Sequence, residues 1–373
     1  MVLLKKAKVV LVFGTRPEAI KMAPVYEALN GRGIFDVKVL VTAQHREMLD
    51  TVLDLFSIVP DYDLSLMREE QTLSYVTREA LSGIVDVLEK ERPDIVLVHG
   101  DTTTTLAGSL AAYYMRVPLG HVEAGLRTGD LYSPFPEELN RIIADVIADL
   151  CFAPTKTAAQ NLLREGISEK KIFITGNTVV DALLKIASVN FEFSGNLSVL
   201  NSWDGRIMLV TFHRRESWGE PLKDICSALN VIHDSFKDLL IVIPLHLNPE
   251  VRKIAYGILK GERFLLIDPL PYLPFVHLMK RSYLILTDSG GIQEEAPSLG
   301  VPVLVIREKT ERPEAVEAGV VKLIGREKER IVSEVSLLLE NEEAYDKMKK
   351  VVNPYGDGKA SERIATILEA YLS

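Results

Sequence analysis

The sequence predicts an α/β protein built from two Rossmann-like, doubly wound layers. Three observations carry that class. Short apolar runs rich in Val, Ile and Leu recur along the chain, each followed by a segment with helical spacing. None of the runs alternates apolar with polar residues, which is the pattern of strands buried on both faces of a parallel sheet. The rhythm breaks once, in an aperiodic stretch at 189–205 containing Ser, Asn and Gly, and then restarts.

In the first half the expected strands are 9–13, 37–42, 95–99, 117–123, 150–153 and 172–176, and segments such as 18–29, 72–91 and 137–149 read as helices. In the second half the strands fall at 207–212, 239–244, 264–268, 283–287, 301–306 and 320–323. A chain of 373 residues is more than one core usually fills. A first domain over 1–185 and a second over 186–356 therefore follow, with a linker around 186–205. Two such open sheets are expected to face each other across a cleft and to bind ligands at the carboxyl ends of their strands.

Composition narrows the function classes. With 43 Lys plus Arg against 52 Asp plus Glu, the net charge of −9 disfavours nucleic acid as a partner, although a local basic pocket can still take a polyanion. A hydrophobic share of 47% with 23 Gly and 18 Pro excludes disorder and collagen-like repeats. Cys151 and Cys226 are the only cysteines, so neither a disulfide framework nor a Cys-based zinc site is supported. There is no His-x-His, no H-E-x-x-H and no EF-hand loop, and no metal is expected. The first twelve residues are too short for a signal peptide, and no run reaches about 18 apolar residues. The expectation is a soluble cytoplasmic protein without a membrane span.

The residues just after the strands are the ones to interrogate. Gly14-Thr15-Arg16-Pro17-Glu18 is neither a dinucleotide fingerprint nor a P-loop. Thr15 can cap a helix and Pro17 suits its first turn. Arg16 at that N-terminus is unfavourable by about 0.3–1 kcal/mol, which a bound anion would offset. It reads equally as a surface arginine on a loop. After the third strand comes His99-Gly100-Asp101-Thr102, where Asp101 suits an N-cap. After the fourth comes His121-Val122-Glu123-Ala124-Gly125-Leu126-Arg127, and then Pro136-Glu137-Glu138 opens a helix whose dipole favours carboxylates in any protein. Taken singly, these acids are explained by capping. Together, Asp101, Glu123 and Glu137 converge from neighbouring strand ends, and clustered carboxylates make proton-transfer groups.

In the second half, His213-Arg214-Arg215-Glu216-Ser217 follows a strand and Phe212. A histidine and two arginines there can meet a phosphate, or form a solvated loop with an internal Arg–Glu pair. Ser289-Gly290-Gly291 opens a helix whose backbone N–H groups a phosphate can approach closely, though Gly-Gly is also a plain turn signal. Glu295 can accept from ribose hydroxyls, and Arg312 is a further cation at the start of the next helix. His45 and His246 lie just after strands, whereas His233 and His277 sit on helical patterns and read as structural. No Gly-x-Ser-x-Gly elbow supports Ser–His–Asp hydrolysis.

The runs Phe13–Lys21, Val98–Thr104, His121–Thr128, Pro136–Glu138, Thr175–Thr178, His213–Ser217 and Asp288–Pro297 resemble the non-hydrolysing UDP-N-acetylglucosamine 2-epimerases, in order and across the whole chain. The resemblance implies the two-domain fold called glycosyltransferase B. In that fold UDP lies mainly against the second domain, the sugar points at the first, and the last helix, 357–373, returns to the first domain. It implies an isomerase that interconverts UDP-GlcNAc and UDP-ManNAc for surface polysaccharides, without nicotinamide or metal, as a homodimer. An activating UDP-GlcNAc would sit near Gln44, Arg68, Glu137, Arg214 and His246.

The chemistry implied by the resemblance is elimination of UDP to 2-acetamidoglucal and re-addition with a proton on the opposite face. Asp101, Glu123 and Glu137 are the proton-transfer candidates, in either order. His213, Arg16 and the Ser289–Gly291 helix end would stabilise the departing diphosphate. Lys21 would assist there or serve only the helix surface. One departure is Phe212, where the family has a small residue. It changes either the uridine packing or only the loop path. A hydrolysing relative releasing ManNAc, a glycosyltransferase of the same fold and a non-catalytic nucleotide-sugar sensor are the alternatives.

Overall fold

The computed structural model describes residues 6–43, 46–68, 71–214, 217–310 and 312–373, apart from the side chains of Arg46 and Glu47. They form two compact units, Met1–Ala182 with Tyr355–Ser373, and Leu183–Pro354. In the first, strand and helix alternate as β1 (Ala7–Phe13), α1 (Arg16–Gly31), β2 (Phe35–Val41), α2 (Arg46–Leu55), β3 (Tyr62–Asp63), α3 (Leu73–Glu91), β4 (Ile95–His99), α4 (Thr103–Met115), β5 (Leu119–Val122), α5 (Glu137–Ile147), β6 (Leu150–Ala153), α6 (Lys156–Arg164), β7 (Ile172–Ile174) and α7 (Thr178–Ser188). Helix α7 crosses at Leu183 into the second unit, which continues with α8 (Val199–Ser202), β8 (Arg206–Thr211), α9 (Glu220–Ser235), β9 (Leu239–Pro244), α10 (Pro249–Ile258), β10 (Phe264–Ile267), α11 (Tyr272–Arg281), β11 (Leu284–Thr287), α12 (Gly290–Glu295), β12 (Val303–Val305), α13 (Pro313–Ala318), β13 (Val321–Leu323), α14 (Lys328–Glu340) and α15 (Glu342–Lys349). The last helix, α16 (Ala360–Leu372), belongs to the first unit.

Both sheets are wholly parallel, as the unalternating apolar runs require. Strands β4, β5, β6, β9, β11 and β12 are buried along their whole length. Burial eases in the edge strands β7 and β10 and at the amino ends of β1, β2 and β8. Both faces of each sheet are buried, and on one face of each the packing against helices is continuous. In the first unit Val10, Val12, Val96 and Val98 meet Ala80 and Ile84 of α3 and Ala107 and Ala111 of α4. In the second, Met208, Val210, Ile241 and Ile243 meet Ile225 and Leu229 of α9 and Val335 of α14. Each such Val, Ile or Leu contributes about 1.5–3 kcal/mol by leaving water.

Strand order is β3-β2-β1-β4-β5-β6-β7 in one sheet and β10-β9-β8-β11-β12-β13 in the other. Order therefore reverses between β1 and β4, and again between β8 and β11. At such a switch neighbouring loops part to opposite faces and leave a crevice. The loops containing Arg16 and Asp101 flank the first switch, and those containing His213 and Ser289 flank the second.

Two features differ from the sequence reading. The aperiodic stretch is not a plain linker: it holds a 3-10 turn at Gly195–Leu197 and α8, with Phe193 and Leu200 buried. Arg281 ties it down by donating to the carbonyls of Leu200 and Trp203. The two-residue β3, paired through Leu40↔Tyr62 and Val41↔Asp63, is too short to show any period. Cys151 and Cys226 are buried free thiols, each pushed up to about 12 by burial. Among the described residues no helix is long and apolar enough to cross a membrane.

Candidate active site

The first switch is held together by a carboxylate that is not among the candidates. Glu18 of α1 is buried and accepts from the backbone N–H groups of Gly14 (3.0 Å) and Thr15 (2.8 Å). It also accepts from the Thr15 and Thr102 hydroxyls, at 2.7 Å each. It thus joins the loop after β1 to the loop after β4. Burial pushes this carboxyl above its ordinary range, against the pull of those donors. Gly14 is needed here, because a Cβ would stand 1.9 Å from the Thr42 hydroxyl, itself bonded to Thr104 at 2.7 Å. Arg16, the first residue of α1, is exposed.

Asp101 and Glu123 emerge from adjacent strands, since β4 and β5 pair in register through His99↔Val122. The N-cap expectation for Asp101 is corrected: Thr102 caps α4, its hydroxyl accepting from the Thr105 N–H at 3.1 Å. The Asp101 carboxylate pairs instead with Arg141 of α5. Asn140 of the same helix donates to the Asp101 carbonyl at 2.9 Å.

Glu123 has a φ of 67°, a left-handed conformation that costs a side-chain-bearing residue on the order of 1 kcal/mol. Lys21 of α1 and Asn177 (2.8 Å) both donate to its Oε2. Lys21 is therefore neither a surface residue nor a lone cation, but the counter-charge of Glu123. His99 Nε2 lies 3.8 Å from the same oxygen. Burial pushes the His99 imidazole down to about 3, outweighing the attraction of Glu123. Both its ring nitrogens are buried and take no hydrogen bond from the described residues.

Both adjacent acids at the start of α5 keep a buried Oε2 without a hydrogen bond from the described residues, and they differ in the rest. Glu138 is buried and accepts the N–H groups of Thr128 (2.9 Å) and Gly129 (3.0 Å), so it builds the preceding loop. Glu137 has a buried Oε2 with no hydrogen-bond partner among the described residues. A buried carboxylate oxygen without a donor is costly unless something else satisfies it.

At the second switch Asp288 is the organiser. Fully buried, it accepts from the backbone N–H groups of His213 (2.9 Å) and Arg214 (3.0 Å) and from the Ser217 hydroxyl (2.8 Å). The His213 side chain is exposed, with its ring 6.4 Å from that of His246. His246 in turn lies 5.4 Å from the Trp218 ring. Phe212 is fully buried within the core of this unit, so it sets the loop path from inside. Ser289 stands at the N-cap of α12, followed by buried Gly290 and exposed Gly291. A Cβ on Gly290 would lie 2.7 Å from the guanidinium carbon of Arg312, so the glycine lets Arg312 lie flat on the helix start. Arg312 Nε donates to Glu294 at 2.8 Å. Glu295 ends α12 half-buried, near the buried Tyr272 hydroxyl that it helps push up.

Among the remaining candidates, Arg68 stacks over the Tyr75 ring, 3.2 Å from its centroid. Gln44, His45, Arg215 and Glu216 lie outside the described residues. His233 and His277 stack on Phe264 and Phe191, at 4.7 and 4.8 Å. Among the described residues no group of three His, Cys, Asp or Glu is placed to hold a metal ion. Glu18, Asn177 and Asp288 are the polar residues that sequence reasoning left without a role, although each lies inside a run already singled out.

Comparison with known proteins places the chain in a family. Residues 27–369 match the family model described as UDP-N-acetylglucosamine 2-epimerase. The UDP-N-acetylglucosamine 2-epimerase of Escherichia coli K12 is 56% identical over 370 residues, spanning 97% of this chain and 98% of that protein. The UDP-GlcNAc 2-epimerase of Neisseria meningitidis, solved with UDP-GlcNAc bound, superposes with a TM-score of 0.86 at 49% identity, covering 97% of this chain and 100% of that one. The Methanocaldococcus jannaschii enzyme, in complex with UDP-GlcNAc and UDP, gives 0.79 at 38% identity, covering 97% and 99%.

Proposed function

The chain belongs to the UDP-N-acetylglucosamine 2-epimerase family, and from that premise we propose that it interconverts UDP-GlcNAc and UDP-ManNAc without hydrolysis. The C2 hydrogen of the sugar has no carbonyl beside it in the ring, so direct deprotonation is very difficult. Loss of the C2 proton with breakage of the C1–O bond to UDP solves this, giving 2-acetamidoglucal. UDP then adds back at C1 while a proton returns to C2 from the other face.

The observation that carries this reading is the contrast among three carboxylates at one sheet edge. Asp101 is paired with Arg141, Glu123 with Lys21 and Asn177, and Glu137 keeps an oxygen without a donor among the described residues. Such unequal surroundings suit the three acids to different parts in removing and returning a proton. For the leaving group, His213 and the N–H groups at Ser289–Gly291 stabilise the diphosphate as negative charge grows on it.

Incubation with UDP-GlcNAc in deuterium oxide tests the reaction. Deuterium should enter C2 while the nucleotide sugar is conserved and UDP-ManNAc appears. Release of free ManNAc and UDP would make the protein a hydrolysing relative, and an unlabelled, unchanged substrate would refute both. His213→Ala should weaken UDP binding at least about tenfold by calorimetry with little change in melting, since its side chain is exposed. Unchanged UDP affinity would remove its phosphate role.

The same reading includes a cytoplasmic homodimer that supplies surface-polysaccharide synthesis. For the homodimer, the support is exposed apolar side chains on the neighbouring helices α4 and α5, among them Tyr113, Tyr114, Leu139 and Val146.

A further inference from the structure

Helix α5 carries polar residues toward the sheet edge at 137, 141 and 145, a spacing of four that keeps them on one helix face. The first two are the carboxylate and the guanidinium already described. The third, Asp145, is fully buried and touches neither Asp101 nor Glu137 among the contacts of the site. One of its oxygens meets His121 Nδ1 at 2.6 Å. The other accepts the Gly125 N–H at 3.1 Å and pairs with Arg127 at 2.7 Å. His121, on β5 and also fully buried, places its second nitrogen, Nε2, 2.7 Å from the carbonyl of Gly100.

We propose that His121 is a positioning residue for the proton-transfer groups: clamped by Asp145, it locks the Asp101 loop and the Glu123 turn into one frame with α5. It rests on the reading of the three acids given above. The frame is specific. Gly100 immediately precedes Asp101, His121 and Gly125 lie two residues either side of Glu123, and Asp145 sits two turns after Glu137. One imidazole therefore spans two loops and the helix that contains the third acid.

Hydrogen-bond roles fix the state of the ring. A carbonyl oxygen only accepts, so Nε2 carries a hydrogen. Burial alone would raise the Asp145 carboxyl, but His121 and Arg127 outweigh it and hold Asp145 below its ordinary range. An ionised carboxylate also only accepts, so the clamp requires a hydrogen on Nδ1 as well. Asp145 is shared between His121 and Arg127, and Arg127 meets Glu165 in turn at 2.6 and 2.7 Å. A buried ring with both nitrogens committed cannot rotate without breaking buried polar contacts, which makes it a stiff spacer.

The test compares His121→Leu and His121→Gln, whose amide can still donate to the Gly100 carbonyl. His121→Leu should lower kcat about tenfold to a hundredfold, because loss of positioning on the order of 1 Å acts on the chemical step. KM for UDP-GlcNAc and the affinity for UDP should stay within about twofold of wild type. His121→Gln should recover at least part of the lost kcat. Turnover of His121→Leu within twofold of wild type would overturn the proposal, as would parallel loss of kcat and UDP affinity. Nitrogen NMR of histidine-labelled wild-type protein gives an answer independent of either variant's folding. Two protonated ring nitrogens on His121 support the clamp, and a bare Nδ1 overturns it. Failure of wild type to exchange the C2 hydrogen would instead sink the epimerase reading, and the ring spectrum would still decide the clamp.

Discussion

Glu137→Gln is expected to lower turnover of UDP-GlcNAc about a hundredfold or more while leaving the melting temperature unchanged or slightly raised. General acid–base groups contribute roughly 10²–10⁴ to rate, and the substitution keeps size while removing the titrating oxygen. Stability should change little, because Glu137 Oε2 receives no hydrogen bond from the described residues, so no neighbouring donor loses its acceptor. The neighbouring acid behaves oppositely. Glu138→Gln keeps an oxygen for the Thr128 and Gly129 N–H groups but removes the charge facing Arg141, so it should cost stability on the order of 1 kcal/mol. Asp101→Asn and Glu123→Gln should also lose at least about tenfold in rate, but each removes a negative charge that faces a cation, Arg141 or Lys21. Initial rates together with thermal melts separate these cases. Near-normal turnover of Glu137→Gln would remove that residue from the proton-transfer set.

His99 should make the folded state sensitive to mild acid. Its imidazole is pushed down to about 3 by burial, whereas in the unfolded chain it titrates near about 6.5. Between those values the unfolded state binds a proton that the folded state refuses. The group therefore withdraws stability progressively as pH falls from about 6.5 toward 3, at about 1.4 kcal/mol per pH unit. At pH 4 the accumulated effect is about 3 kcal/mol. His99→Gln removes this titration, so urea unfolding at pH 7 and pH 4 should show a smaller acid loss in the variant by about that amount. Parallel losses in the two proteins would mean that His99 is not held neutral.

Much of the architecture was legible because its signals are local. Apolar runs that do not alternate specify strands covered on both faces, and ranges such as 95–99, 150–153 and 239–244 coincide with β4, β6 and β9. The loops at both topological switches were legible for the same reason, as polar residues directly following a strand. What escaped is long-range. Nothing near Lys21 announces Glu123, which lies 102 residues away, and nothing near Asp288 announces the His213 N–H 75 residues before it. Glu137 and Glu138 are chemically identical neighbours, separated only by which of them faces the Thr128–Gly129 turn. Asp101 looked like a cap because Asp and Thr both cap well, and here Thr102 takes the Thr105 N–H and leaves Asp101 to Arg141.

The return of α16 to the first unit has a consequence for how the protein is made. Residues 183–354 form the second unit without interruption, whereas the first waits for residues 355–373. During synthesis the later unit is therefore complete before the earlier one. Until α16 emerges, the α1 surface lacks the helix that brings Ile364, Ala365 and Leu368 into burial, and Arg32 lacks Glu362, Thr366 and Glu369. Asp181 likewise waits for the N–H groups of Ala360 and Ser361 that it caps. A nascent chain stalled near residue 354 should thus hold a finished second unit behind an unfinished first, reversing the usual amino-to-carboxyl order of domain completion.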